Sequence, residues 1–299
     1  MKKTAFQNLA TLLILVLGAM TLGGCAAWRG TEKGMTKLIF SPSMETSLGT
    51  EYAEQIEGDI KLIDDPEALA WLQDMGERLV AESPEAAVPF KFQLTADPSV
   101  NAFAIPGGYC YVNLGLVQYA DNEAQVAAVV GHEINHVTQR HGLLRIQRAM
   151  GIGAVTAAAA ILLEDQTARA AAVAGGTGVG FLANQRWSRD DEREADKLGT
   201  EAMYLAGWDP RESAKFFQKL NDLSGGKTPG ALDRILSTHP VSADRVENIN
   251  KQVAGYDLNA WPLTVNTPRF EAVKDRLKKQ YGEIDFTTPA APAEPAPTE

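Results

Sequence analysis

Apolar positions along the chain recur with two periods. Leu48, Tyr52, Ile56 and Ile60 step by four, which predicts a helix from about Glu45 to Ile63. Asp65-Pro66 opens a second helix with proline at its first position, and Leu69, Leu72, Met75, Leu79 and Val80 form its buried stripe. The period changes at Pro89, where Phe90, Phe92 and Leu94 alternate with polar residues as in a half-buried strand. Val100 to Ile105 and Tyr109 to Val112 flank Pro106-Gly107-Gly108, a turn signal that predicts a hairpin. Asn122 with Gln125 three residues on reads as a capping box, opening a long helix from Glu123 to about Arg148. Helical patterns return at 189–206, 210–223, 242–253 and 269–281. These elements predict an α+β fold, mainly α, with a small antiparallel sheet.

Some stretches obey neither period. Residues 149–182 are rich in Ala and Gly, and their first apolar run, 149–163, stops at Glu164-Asp165 after fifteen residues. That is short of the roughly 18 to 20 a spanning helix needs. The stretch reads as a buried or membrane-leaning helical hairpin, with a lid over a site as the alternative. Lys2 and Lys3 precede the apolar run Leu9 to Met20, so 1–24 reads as a leader. It ends at Leu22-Gly23-Gly24-Cys25, which resembles a bacterial lipobox with Cys25 as the lipidated residue. By resemblance to lipoprotein sorting rules, Ala26 after the cysteine favours the outer membrane of a Gram-negative bacterium. Residues 25–44 then read as a tether, 45–285 as one folded domain, and the Pro/Ala/Glu/Thr-rich 286–299 as a disordered tail.

Composition narrows the function. The 299 residues carry 28 basic against 38 acidic side chains, a net charge of −10, which argues against nucleic-acid binding through a basic face. Two cysteines exclude a disulfide scaffold or a four-thiolate metal site. With Cys25 lipidated, Cys110 has no partner.

Three of the four histidines lie within ten residues, in His132-Glu133-Ile134-Asn135-His136-Val137-Thr138-Gln139-Arg140-His141. The first five residues match H-E-x-x-H. On a helix His132 and His136 sit about 40° apart and one turn along, so both imidazoles can hold one Zn²⁺ while Glu133 reaches its water as general base. Two structural histidines on a helix would be the bland alternative. His141 lies about 180° from His132 on the same helix, so it faces away unless the helix breaks. The metzincin pattern is also absent, because Gln139 and Gly142 stand where it needs Gly and His.

A carboxylate should complete the metal site from another helix, and the acidic segment Asp190 to Asp196 is the candidate. Glu192 and Asp196 share a face, while Glu194 points about 160° away. One of the pair would bind metal and the other would hold a ligand histidine by its second ring nitrogen. His239, in Thr238-His239-Pro240, reads as an oxyanion donor, a fourth ligand or a plain corner residue.

These residues, with 48–53, 100–108, 127–133, Glu192-x-x-x-Asp196 and 206–210, resemble the zinc metalloendopeptidases that include the HtpX, Oma-type and CAAX prenyl protease Ste-type enzymes. The likeness runs from Glu45 to Leu277 and is greatest to short periplasmic lipoprotein members, of the LoiP or BepA kind without repeats. It implies a gluzincin-like domain with one zinc on His132, His136 and Glu192, and Asp196 behind a ligand. It places His239 and Arg245 in the active site, and Asn101 and Ala102 on an edge strand that pairs with the substrate backbone. The implied activity is cleavage of unfolded or misassembled envelope proteins. A chaperone or assembly factor for outer-membrane proteins, with proteolysis secondary, is the competing expectation.

Overall fold

The computed structural model describes residues 25–148, 187–224, 230–240 and 242–287. The leader, the whole Ala/Gly-rich stretch and the tail from 288 onward lie outside them, and so do the readings made for those segments. The chain divides into Met1–Ser41 and Pro42–Glu299. In the first unit the described element is α1 (Cys25–Ile39). The segment read as a tether is therefore helical, since Ala26, Ala27, Lys33, Met35, Lys37 and Leu38 are good helix formers that outweigh Gly30 and Gly34.

The second unit begins with α2 (Pro42–Asp59), which starts earlier than the periodicity suggested because Pro42 suits a first helical position. It also ends earlier. The Ile63 amide bonds to the Leu94 carbonyl at 2.8 Å and Leu62 bridges to Thr95, drawing the chain after Ile60 out of the helix and onto a strand. In α3 (Pro66–Ala81) the Asp65 carboxylate accepts from the Glu67 and Ala68 amides, as its sequence signal promised.

Strands β1 (Lys91–Thr95), β2 (Ala102–Ile105) and β3 (Tyr109–Asn113) form one sheet in the order β1-β3-β2. The hairpin β2–β3 is antiparallel, but β1 pairs with β3 in parallel, so the sheet is mixed rather than antiparallel. Alternation says which face of a strand is buried and nothing about its direction. β3 is buried along its whole length. Its Cys110 and Val112 join the main core with Phe92, Leu94 and residues of α3, while Tyr109 and Tyr111 pack with Tyr52, Ala53 and Ile56 of α2. The sheet is thus a middle layer, with α2 on one face. The hairpin turn uses positive φ at Gly107 and Gly108. Gly49 lies so close beneath it that a Cβ there would come within 2.2 Å of the Pro106 carbonyl oxygen.

After α4 (Leu114–Tyr119), a short helix the periodicity did not announce, comes α5 (Glu123–Thr138), every residue of which is buried. It stops ten residues short of the expected end. Arg140 takes a left-handed φ of 57°, and a new helix, α6, starts at 141 and is described to 148. The chain then resumes with α7 (Arg189–Leu205), α8 (Arg211–Ser224), α9 (Asp233–Thr238), α10 (Ala243–Val253) and α11 (Pro268–Tyr281). α7 packs along α5. Their backbones nearly touch at Gly131 and Gly199, where a Cβ on Gly199 would lie 2.8 Å from the His132 nitrogen. Phe286 still packs on Tyr119, with ring centroids 5.1 Å apart, so the packed body runs past 285. No helix among the described residues is long and apolar enough to cross a membrane.

Candidate metal centre

The glycine crossing of α5 and α7 brings the two sequence motifs face to face. His132 and His136 project from α5, Glu192 and Asp196 from α7, His239 caps the end of α9 and Arg245 stands on α10. All six are buried. One donor atom each from His132, His136, Glu192 and His239 lies within 4.8 Å of the other three. His132 Nε2 is 2.9 Å from His136 Nε2 and 3.3 Å from His239 Nδ1. Glu192 Oε1 is 3.5 Å from His136 Nε2 and 2.9 Å from His239 Nδ1.

The donors fit a divalent cation. Tetrahedral ligands about 2.0–2.1 Å from an ion stand about 3.3 Å from one another, near the spacings seen. Three ring nitrogens and a carboxylate facing inward cannot satisfy one another by hydrogen bonds alone, whereas a cation satisfies all of them. Imidazole with carboxylate suits zinc among other transition metals.

The outer nitrogens of both α5 histidines are also engaged. His132 Nδ1 lies 2.9 Å from Asp196 Oδ1, and Arg245 clamps Asp196 through Nε and Nη2, both at 2.7 Å. Arg245 also meets Glu192 Oε2 at 2.5 Å and donates to the Pro240 carbonyl at 3.0 Å. Burial alone would raise both acids, yet His239 and Arg245 hold Glu192 well below the usual carboxylate range, and Arg245 with His132 lowers Asp196. Desolvation drives His136 strongly toward its neutral form. Burial favours neutral His239 too, but Glu192 and Glu133 outweigh it and raise its pKa.

Glu133 stands on the far side of the His239 ring, 3.4 Å from its Nε2. Burial raises its pKa, against the opposing influence of His239, His132 and the backbone amide of Ala104. Ala104 belongs to β2, the strand at the edge of the sheet among the described residues, so that edge runs beside the centre. Asn101 and Ala102 lie at the start of that edge strand with their side chains buried, and the Asn101 carbonyl accepts from the Asn113 amide. Cys25 begins α1 in the other unit. Cys110 is a free thiol in the core, pushed up by burial.

Sequence periodicity missed three members of this neighbourhood. His141 does not face away, because the helix breaks at Arg140 and the new start turns its ring to His136, Nδ1 to Nδ1 at 2.9 Å. It is not one of the four converging donors. Glu194, which points away from Glu192 and Asp196 on α7, meets His141 Nε2 at 3.3 Å. Trp187 stacks on His136 with centroids 4.4 Å apart. The polar run Thr138-Gln139-Arg140 was the available sign of a stop, but it contains no glycine or proline.

Comparison with known proteins agrees with this geometry. The model of peptidase family M48 matches residues 66–253. The chain is 34% identical to the beta-barrel assembly-enhancing protease of Escherichia coli K12, over 79% of this chain and 50% of that protein. It is 32% identical to metalloprotease LoiP of the same organism, over 56% of this chain and 64% of LoiP. Identity to the mitochondrial metalloendopeptidase OMA1 of Arabidopsis thaliana is 28%, covering 75% of this chain and 42% of the relative. The chain spans about half the length of the beta-barrel assembly-enhancing proteases it matches. The matched segment includes the buried donor cluster, and the chain belongs to peptidase family M48, whose metallopeptidase domain it carries.

Proposed function

We propose that this chain is a zinc endopeptidase, held at the outer membrane by lipid on Cys25, that cleaves unfolded or misassembled proteins of the bacterial envelope. The observation that carries the proposal is the convergence of His132, His136 and Glu192 with Glu133 alongside. When bound there, zinc would supply a Lewis acid that polarises a peptide carbonyl and acidifies water. Glu133, with its raised pKa, is suited to take a proton from the attacking water and pass it to the leaving amine. Asp196 keeps the His132 proton on Nδ1 and so turns the Nε2 lone pair inward.

His239, held by Glu192 and backed by Arg245, is the group to donate to the developing oxyanion. In the geometry described it occupies the place of a fourth donor, as in a closed structural site. Catalysis therefore requires the His239 ring to withdraw from the donors as a peptide enters. The peptide backbone would add to the free edge of β2, with Asn101 and Ala102 at the start of the binding line.

The envelope setting rests on the leader ending at Cys25 and on likeness to a relative named for enhancing beta-barrel assembly. That name also favours a second reading, an assembly factor for outer-membrane proteins with proteolysis secondary. Glu133→Gln tests the mechanism. It should retain zinc and lose about 10²- to 10⁴-fold in cleavage of an unfolded protein. Full proteolysis by the variant would overturn the mechanism. Wild-type behaviour of an inactive variant in an envelope-stress complementation assay would favour the assembly reading. Cys25→Ser should move the protein from the membrane to the soluble fraction.

A further inference from the structure

His141 has no place in the mechanism above, yet it is 1% exposed and sits between a proposed ligand and two acids. His136 turns Nε2 toward His132 and Glu192. A neutral imidazole that offers the Nε2 lone pair carries its hydrogen on Nδ1. That Nδ1 is 2.9 Å from Nδ1 of His141, which must then accept. His141 consequently keeps its own hydrogen on Nε2, which faces Glu194 Oε2 at 3.3 Å and Asp191 Oδ1 at 3.7 Å. The polarity of the chain is set from end to end, from His136 to His141 to Glu194.

We infer that His141 is a positioning residue for the metal: it accepts the Nδ1–H of His136, fixing that ring's tautomer and orientation, and is itself held by Glu194. The inference rests on the reading of His136 as a ligand. It makes His141 the counterpart of Asp196, whose Oδ1 stands 2.9 Å from Nδ1 of His132. A neutral acceptor does this without adding a carboxylate to a centre that already buries Glu133, Glu192 and Asp196. Trp187 clamps the face of the His136 ring, and His141 fixes its rotation about the ring normal. The device depends on the left-handed Arg140, whose side chain is tied to buried Glu45 at 3.1 Å.

Zinc affinity of the full chain, measured by competition with a chelator, tests the inference without reference to activity. His141→Phe keeps the bulk and removes the acceptor, and should weaken zinc binding about 10- to 100-fold. His141→Asn, whose side-chain oxygen can occupy the place of Nδ1, should recover most of that loss. Thermal unfolding of the metal-free variants checks that each is folded. Wild-type affinity in folded His141→Phe, or an equal loss in both variants, would overturn the inference. His136→Ala separates the two readings. Undiminished affinity there defeats the ligand reading itself, whereas a loss there with none in His141→Phe defeats the relay alone. Should His141→Phe fail to fold, ¹⁵N NMR of the zinc-loaded wild type still decides, since hydrogen on Nε2 of His141 is required and hydrogen on its Nδ1 refutes the relay.

Discussion

His132 leans on Asp196, which Arg245 grips with two bonds of 2.7 Å, while one turn later His136 leans on the neutral ring of His141. The first support is charged and assembled from a distance, by α7 and α10 closing on α5. The second is uncharged and comes from five residues along the chain, with Glu194 of α7 behind it. An ionic support deep in the fold binds several elements together, so breaking it should damage the whole domain. A local neutral support should be felt mainly at the metal. The same helix therefore carries one ligand whose fate is tied to folding and one tied to a single turn.

The largest effect should come from Arg245→Met, which leaves Asp196 and Glu192 buried without their guanidinium. We expect a loss of about 3–5 kcal/mol in the metal-free protein, read by urea unfolding. A change near zero would mean that the charged support is not structural. Asp196→Asn keeps the shape but removes the charge behind His132, and a chelator assay should show zinc affinity lower by about 10- to 100-fold. If His141→Phe costs more stability than Arg245→Met, the contrast between the supports fails.

Gly199→Ala probes the crossing on which the charged support depends. Its Cβ would press on the backbone of Gly131 and His132, and we expect about 1–3 kcal/mol of destabilisation together with weaker metal binding. An alanine tolerated with full affinity would show that the helices can part without disturbing Asp196. Asp65→Ala, remote from both supports, should cost about 1 kcal/mol through loss of the α3 cap and leave zinc affinity alone. Burial opposes ionisation of Asp65, but Arg276 and the amides of Ala68 and Glu67 outweigh it, so its folded pKa is lowered. Its contribution is therefore complete above its unfolded pKa of about 3.9 and disappears as pH falls through the folded value. Wild type and variant should converge in stability in strong acid, and a gap that persists there would assign the cap to packing instead.

Much of the centre was legible because H-E-x-x-H and the spacing of Glu192 and Asp196 are local facts of helical geometry. Four residues make about one turn, wherever the helix sits. The caps at Asp65 and Asn122 and the turn at Gly107-Gly108 were legible for the same reason. What failed involved a residue whose conformation is chosen by a distant partner. The apolar pattern predicts one helix to about 148, since Leu143 and Leu144 continue it, while Arg140 turns left-handed beside buried Glu45, from α2. The parallel pairing of β1 was hidden because alternation is blind to strand direction.

By itself, the sequence determined a mainly helical fold, a hairpin, two histidines on one helix face with a glutamate beside them, and two acids on another. Each of these follows from short-range periodicity and side-chain chemistry. The tertiary structure alone decided that Gly131 and Gly199 let the two helices touch and that His239 enters the donor set. It also decided that His141 stands behind His136 and that the edge strand β2 brings Ala104 beside Glu133. Those outcomes depend on close packing between segments far apart in the chain, where a difference of one methyl group or one backbone angle selects which side chains meet.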